Sequence, residues 1–186
     1  MHRLFPLLAV SVALSAFSAR ADFPATIAGT DVVGGKPASV SISSALRATV
    51  VAFLSAVCPC SGSHEAELES LRAKYEAEGF RFIGVHANQD EAPAPTAAHF
   101  KSSPIRFPIV EDAGAKLADA VGALKTPHVY VVKPDGEILY QGGVDDSHQA
   151  SAAQKHFLAD ALAAIASGRR PDVAQARTLG CVISRR

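Results

Sequence analysis

Thr49-Val50-Val51-Ala52-Phe53-Leu54-Ser55-Ala56-Val57-Cys58-Pro59-Cys60-Ser61 is the stretch that decides the fold. Residues 49–55 are almost purely apolar and rich in β-branched side chains, the pattern of a central strand buried on both faces. Cys58-Pro59 then ends the strand. A helix follows over 64–78, with Leu68, Leu71 and Tyr75 as its core stripe and Gly79 as its stop. A cysteine between a strand and a helix meets unpaired N–H groups and the positive end of the helix dipole, and both favour the thiolate. The thiolate is the reactive form, so this position suits redox chemistry. The plainer alternative is a pair of buried cysteines that serve as small hydrophobes.

Outward from that segment, strands and helices alternate. Residues 80–86 read as a second strong strand, and 38–42 as a short edge strand. Short helices are expected at 96–101 and at 114–121, the latter capped by Asp112. Pro104 and Pro108 bracket an extended Ile105-Arg106-Phe107. Lys133-Pro134-Asp135-Gly136 lies between two apolar runs, 129–132 and 137–140, and predicts a hairpin. A last amphipathic helix is expected over 151–167, stopped by Gly168 and Pro171. Early strand–helix alternation requires parallel strands, and the late hairpin adds antiparallel ones. The fold class is therefore α/β, a mixed central sheet with helices on both faces.

Residues 1–21 read as a secretory leader: His2 and Arg3, an apolar run too short to span a bilayer, then Ala19-Arg20-Ala21 as a cleavage site. Cleavage is expected before Asp22. This divides the chain into leader (1–21), one domain (22–168) and a C-terminal tail (169–186). The leader carries two of the 18 basic residues and none of the 18 acidic ones, which leaves a slight negative charge. Nothing in that balance points to nucleic acid or an anionic membrane as partner. No stable membrane anchor is expected, and the protein is expected to be a monomer. Export places Cys58, Cys60 and Cys181 where disulfides persist, and an odd count leaves one thiol free or shared.

This arrangement resembles the thioredoxin fold in its redoxin branch, which includes exported thiol-disulfide oxidoreductases and peroxiredoxins. Three local features carry the resemblance: the strand with Cys58-Pro59, Thr126-Pro127 in the manner of a cis-proline loop, and Pro134-Asp135-Gly136-Glu137-Ile138 as the hairpin turn. It covers about residues 29–165. It implies an exported enzyme, in the bacterial periplasm, acting on protein or small-molecule thiols and disulfides with no cofactor. Cys58 takes the nucleophile's place, Pro59 fixes the turn, and a cis Pro127 brings Thr126 backbone groups alongside an extended substrate. The family's usual Cys-x-x-Cys is broken here, because position 61 is serine and the second cysteine is Cys60.

Three routes could resolve a mixed disulfide on Cys58. Cys60 could close a strained Cys-x-Cys ring. Cys181 could reach in from the tail, or an external thiol could act. Gly180 before Cys181 and Val182-Ile183 after it suggest a docked tail, and the preferred reading of Cys181 is a buried structural cysteine. Two other functions stay open. Ser55 stands where a peroxiredoxin has its site hydroxyl, which would make the chain an antioxidant peroxidase. Against this, Lys125-Thr126-Pro127-His128 replaces the arginine expected there, with Arg106 as a substitute. Cys58, Cys60, His64 and His128 could instead bind Cu(I) or Zn(II), although no metal is expected. His86 reads as an unpartnered strand-end residue and His99 as a solvated one. Asp145-Asp146 reads as a charged loop, and Glu65, Glu67 and Glu69 as a wet helix face.

Overall fold

The computed structural model describes residues 23–42 and 47–185. The expected leader lies outside the described residues. Among the described residues the strands are β1 (Thr26–Asp31), β2 (Pro37–Ser41), β3 (Ala48–Leu54), β4 (Phe80–His86), β5 (Ile109–Glu111), β6 (Lys125–Thr126), β7 (His128–Val132), β8 (Ile138–Gly142) and β9 (Cys181–Val182). The α-helices among them are α1 (Pro59–Tyr75), α2 (Pro93–Ser102), α3 (Lys116–Val121) and α4 (Phe157–Ala166). Seven strands form one sheet in the order β2-β1-β5-β4-β3-β7-β8, and β6 pairs with β9 alone. β3, β4 and β5 are parallel, and the pairings β3–β7, β7–β8, β1–β5 and β1–β2 are antiparallel. This is the mixed sheet that the strand–helix order predicts.

Every residue of β3 is buried, because the strand lies between β4 and β7 with packed layers above and below. Alternate side chains feed two cores, as a pleated strand requires. Val50, Ala52 and Leu54 join Leu68, Leu71 and Tyr75 of α1, Phe100 of α2, and Leu158 and Leu162 of α4. Val51 and Phe53 face the other way, with Ala118 of α3, Phe23 and Ile183. Helices therefore cover both faces. Among the described residues no helix is long and apolar enough to cross a membrane.

Several element boundaries differ from expectation. α1 begins at Pro59 instead of residue 64, since Pro59 takes the first helical position and Cys58 caps it. β1 is not legible locally. Its Gly29 is required because a Cβ there would fall on the Glu111 carbonyl of β5. Residues 105–107 join no strand, and β5 forms at Ile109–Glu111, just past Pro108, which has no N–H for a ladder. α4 starts six residues late because the Asp146 carboxylate accepts the N–H groups of Gln154 and Lys155 and holds them in a loop. Asp112 does cap its helix, accepting from Leu117 and Ala118 at 2.9 Å each. Residues beyond α4 run back along the domain: Gln141 of β8 exchanges backbone bonds with Ala174 and Ala176.

Candidate active site

Cys58 is the N-cap of the 17-residue helix α1, and no acidic residue stands in the first turn to oppose a negative charge. The residue as a whole is 3 % exposed. The thiol donates to the Thr126 carbonyl at 3.2 Å, and the sulfur accepts from the N–H groups of Ser61 at 3.5 Å and Cys181 at 3.4 Å. Burial raises the Cys58 pKa. Hydrogen bonding with the Cys181 thiol, the Ser61 N–H, the Thr126 hydroxyl and the Cys181 N–H outweighs it, and the pKa ends below the ordinary thiol value. Among the described residues, the buried Thr126 Oγ1 meets no partner at normal hydrogen-bond geometry. It is thus a buried donor that a thiolate would satisfy. The Thr126-Pro127 peptide bond is cis, as the resemblance implies.

Cys60 faces elsewhere. Residues i and i+2 of a helix point to different sides, so a Cys58–Cys60 bridge would require the first turn of α1 to unwind. Its thiol donates to the Leu179 carbonyl at 3.5 Å. Burial, then the negative charges of Cys58, Asp145 and Cys181, push its pKa up to about 11. Cys60 is therefore protonated at neutral pH and a poor nucleophile. Cys60→Ser should keep turnover within a few-fold of wild type in a small-disulfide exchange assay; its loss would make Cys60 the resolving thiol.

Cys181 corrects an expectation. It is an exposed, free thiol whose N–H reaches the Cys58 sulfur at 3.4 Å, not a buried cysteine. β9 pairs antiparallel with β6, in register Lys125↔Val182 and Thr126↔Cys181. Gly180 has φ +134°, and a Cβ there would fall on the Thr126 carbonyl oxygen. The hydrogen bond to Cys58, then burial, then the charges of Cys58 and Glu91 raise the Cys181 pKa to about 11. The two thiols form a matched pair, one held toward the anion and the other toward the protonated donor.

Behind Cys58 lies a buried charge cluster. Ser55 Oγ accepts from the Cys58 N–H at 3.0 Å and donates to Glu91 Oε1 at 2.5 Å. Glu91 Oε2 accepts from the Ala56 N–H at 2.8 Å and pairs with His86 Nε2 at 3.1 Å. His86 Nδ1 pairs with Glu111 at 2.7 Å. Both ring nitrogens of His86 face carboxylates, so both carry protons and the ring is cationic. Burial would lower its pKa, but the bonds to Glu111 and Glu91 raise it to about 9. Glu91 is raised by burial and lowered more by His86, Ser55 and Ala56, and ends below its ordinary value.

The four residues of the metal reading do not come together. His64 Nδ1 bonds the Cys60 carbonyl at 2.7 Å and Nε2 bonds Asp145 at 2.9 Å, so both nitrogens are already used. His128 stacks on Tyr130, and burial pushes its pKa down to about 4. Among the described residues the potential ligand group is instead His64, Glu67 and Asp145, with ligand atoms within 4.8 Å of one another.

The redoxin family profile matches residues 19–156. The chain belongs to the redoxin family. This redoxin is 30% identical over 97 residues to the thiol-disulfide oxidoreductase ResA of Halalkalibacterium halodurans, across 50% of this chain and 53% of ResA. The match thus spans about half the length of that curated relative. An uncharacterized conserved protein from Geobacillus kaustophilus superposes with a TM-score of 0.77 at 26% identity, covering 88% of this chain and 89% of that one. The peroxidoxin BcpB of Mycobacterium tuberculosis shares the fold, with a TM-score of 0.61 at 17% identity over 81% and 97% of the two chains.

Sequence reading of the redoxin missed every ion pair around the site. His86 has two carboxylate partners. His99 bonds Glu65 at 2.6 Å, which draws Glu65 off the wet face and into burial. Asp145 is 1 % exposed and pairs with His64; it is not part of a solvated loop. A histidine ending an otherwise apolar strand was the available signal, because a buried polar side chain demands a partner.

Proposed function

We propose that this redoxin is an exported thiol-disulfide oxidoreductase in which Cys58 attacks and Cys181 resolves. The observation that carries the reading is the contact of these two residues beside the cis-Pro127 loop. The Cys58 thiolate attacks a disulfide RSSR, forming a mixed disulfide and expelling RS⁻. The Cys181 sulfur then attacks Cys58, forming Cys58–Cys181 and expelling the second RS⁻. The two thiol protons pass to the two leaving thiolates, and two electrons move from the protein to RSSR. In the mixed disulfide Cys58 bears no charge. The largest cause of the raised Cys181 pKa is then gone, so Cys181 ionises more readily once it is needed. The leader-like residues 1–21 support export to a bacterial periplasm, where such a pair can cycle.

Peptide mapping of the oxidised protein should find Cys58–Cys181 as the main bridge, and Cys181→Ser should accumulate the mixed disulfide on Cys58. A dominant Cys58–Cys60 bridge would overturn the assignment. Peroxidase chemistry is the weaker reading. The Ser55 proton is directed to Glu91, away from the thiol, and Arg106 is spent on the Ser103 and Ile105 carbonyls. Stopped-flow oxidation of Cys58 by hydrogen peroxide should accordingly be slow, close to that of a free thiol. Oxidation much faster than that would favour the peroxidase.

A further inference from the structure

The surface beside Cys58 that an extended polypeptide would use is already filled. A polypeptide that brings a disulfide to a nearly buried sulfur must leave water and satisfy its own backbone, and an open strand edge offers that. Here the edge is β6, and β9 of the same chain pairs with it. The pairing is anchored on its far side. The Ile183 N–H donates to the Leu124 carbonyl at 2.9 Å, and the Ile183 side chain is buried in the second core. Ser184 N–H donates to Asn88 Oδ1 at 2.8 Å, Gln89 N–H donates to the Ser184 carbonyl at 3.0 Å, and Arg185 bonds Asp119. Next to Cys58, walled by its neighbours Pro59 and Cys181 with Cys60, Ser63, His148 and Gly180, a cavity of about 540 Å³ opens to the surface. That volume suits a small molecule.

We propose that the site takes small-molecule disulfides and thiols in preference to protein disulfides, because β9 occupies the strand position beside cis-Pro127 while a small cavity opens next to Cys58. The inference rests on the exchange reading above and names its substrate class. The chemistry is the same two-step exchange, with RSSR a low-molecular-weight disulfide reduced to two RSH while Cys58 and Cys181 are oxidised to the bridge.

The test uses the reduced full chain and two disulfides, 2-hydroxyethyl disulfide and insulin. Loss of the reduced protein, to the Cys58 mixed disulfide or the Cys58–Cys181 bridge, is followed by mass spectrometry, and each rate is divided by that of free glutathione on the same disulfide. The normalised rate should be at least about tenfold lower for insulin, the order expected when a short ladder of backbone hydrogen bonds must be displaced. Cys181→Ser keeps β9 in place and should discriminate equally. Gly180→Val forces a Cβ onto the Thr126 carbonyl, frees the strand, and should raise the insulin ratio toward that of the small disulfide. Equal normalised rates in wild type would overturn the inference while leaving the exchange reading intact. So would a folded Gly180→Val protein with the ratio unchanged, or loss of discrimination in Cys181→Ser. Reaction with neither disulfide would overturn the exchange reading, and this inference with it. If Gly180→Val fails to fold, the wild-type ratio decides alone.

Discussion

Replacing Cys58 with serine is expected to abolish exchange with small disulfides, leaving the rate of the buffer alone. A serine hydroxyl stays protonated near neutrality, and at Cys58 no general base stands ready to activate it: the helix terminus and the Ser61 and Cys181 N–H groups stabilise an anion but accept no proton. The fold should survive, because serine is among the best N-cap residues and position 58 already caps α1 through its side chain. Thermal unfolding of Cys58→Ser should therefore match wild type or rise slightly. Loss of activity with retained stability would separate a chemical role from a packing role. Retained exchange in a verified serine variant would remove Cys58 as nucleophile.

Glu91→Leu is expected to produce the largest loss of stability. It strips one carboxylate from the buried His86 cation and leaves the Ser55 hydroxyl and the Ala56 N–H without their acceptor. Breaking one side of a buried pair in this way costs about 3–5 kcal/mol. The same cluster sets the pH dependence. The folded-state pKa of His86 is raised to about 9, above an unfolded value of about 6.5, so its contribution is complete below about pH 6.5 and is lost as pH rises through about 9. That loss is on the order of 3 kcal/mol. Glu91 has the opposite sign. Its pKa is depressed, so its contribution is present above the unfolded carboxylate range and falls away as the solution is acidified. Urea unfolding at pH 6.5 and pH 10 should show wild type weaker at pH 10, with the difference much reduced in Glu91→Leu. Equal wild-type stability at both pH values would mean that His86 is not charged in the folded protein.

The parts of this redoxin that were legible in sequence are those whose cause is local. Seven consecutive buried positions make β3, and Cys58-Pro59 at its end makes the start of α1, so both follow from neighbours along the chain. The Pro134-Asp135-Gly136 turn is likewise written in three residues. β1 and β9 are different. Thr26–Asp31 contains a glycine and polar side chains, and it is a strand because β2 and β5 flank it. β9 has only two residues, and its partner β6 lies more than fifty positions earlier. The ion pairs failed for the same reason. His64 and Asp145 are 81 residues apart, and His99 and Glu65 are 34 apart, distances over which a single sequence carries no signal of contact. The path of residues 179–185 therefore had to come from the structure, and the role proposed for Cys181 rests on that path.

The anchoring of that segment sets what the rest of the molecule can know of its own oxidation state. Cys181 is held between Gly180, locked against Thr126, and Ile183, buried in the second core. The two sulfurs that the proposed cycle joins are thus neighbours before the reaction, and the bridge would leave them so. Charging and discharging this redoxin should leave its outline, its hydrodynamic radius and its protease-sensitive sites almost unchanged. A partner that reads surface shape could not tell the two forms apart. Whatever restores the dithiol would have to recognise the disulfide by its chemistry, through the cavity beside Cys60 and Cys181, with no conformational signal to announce it.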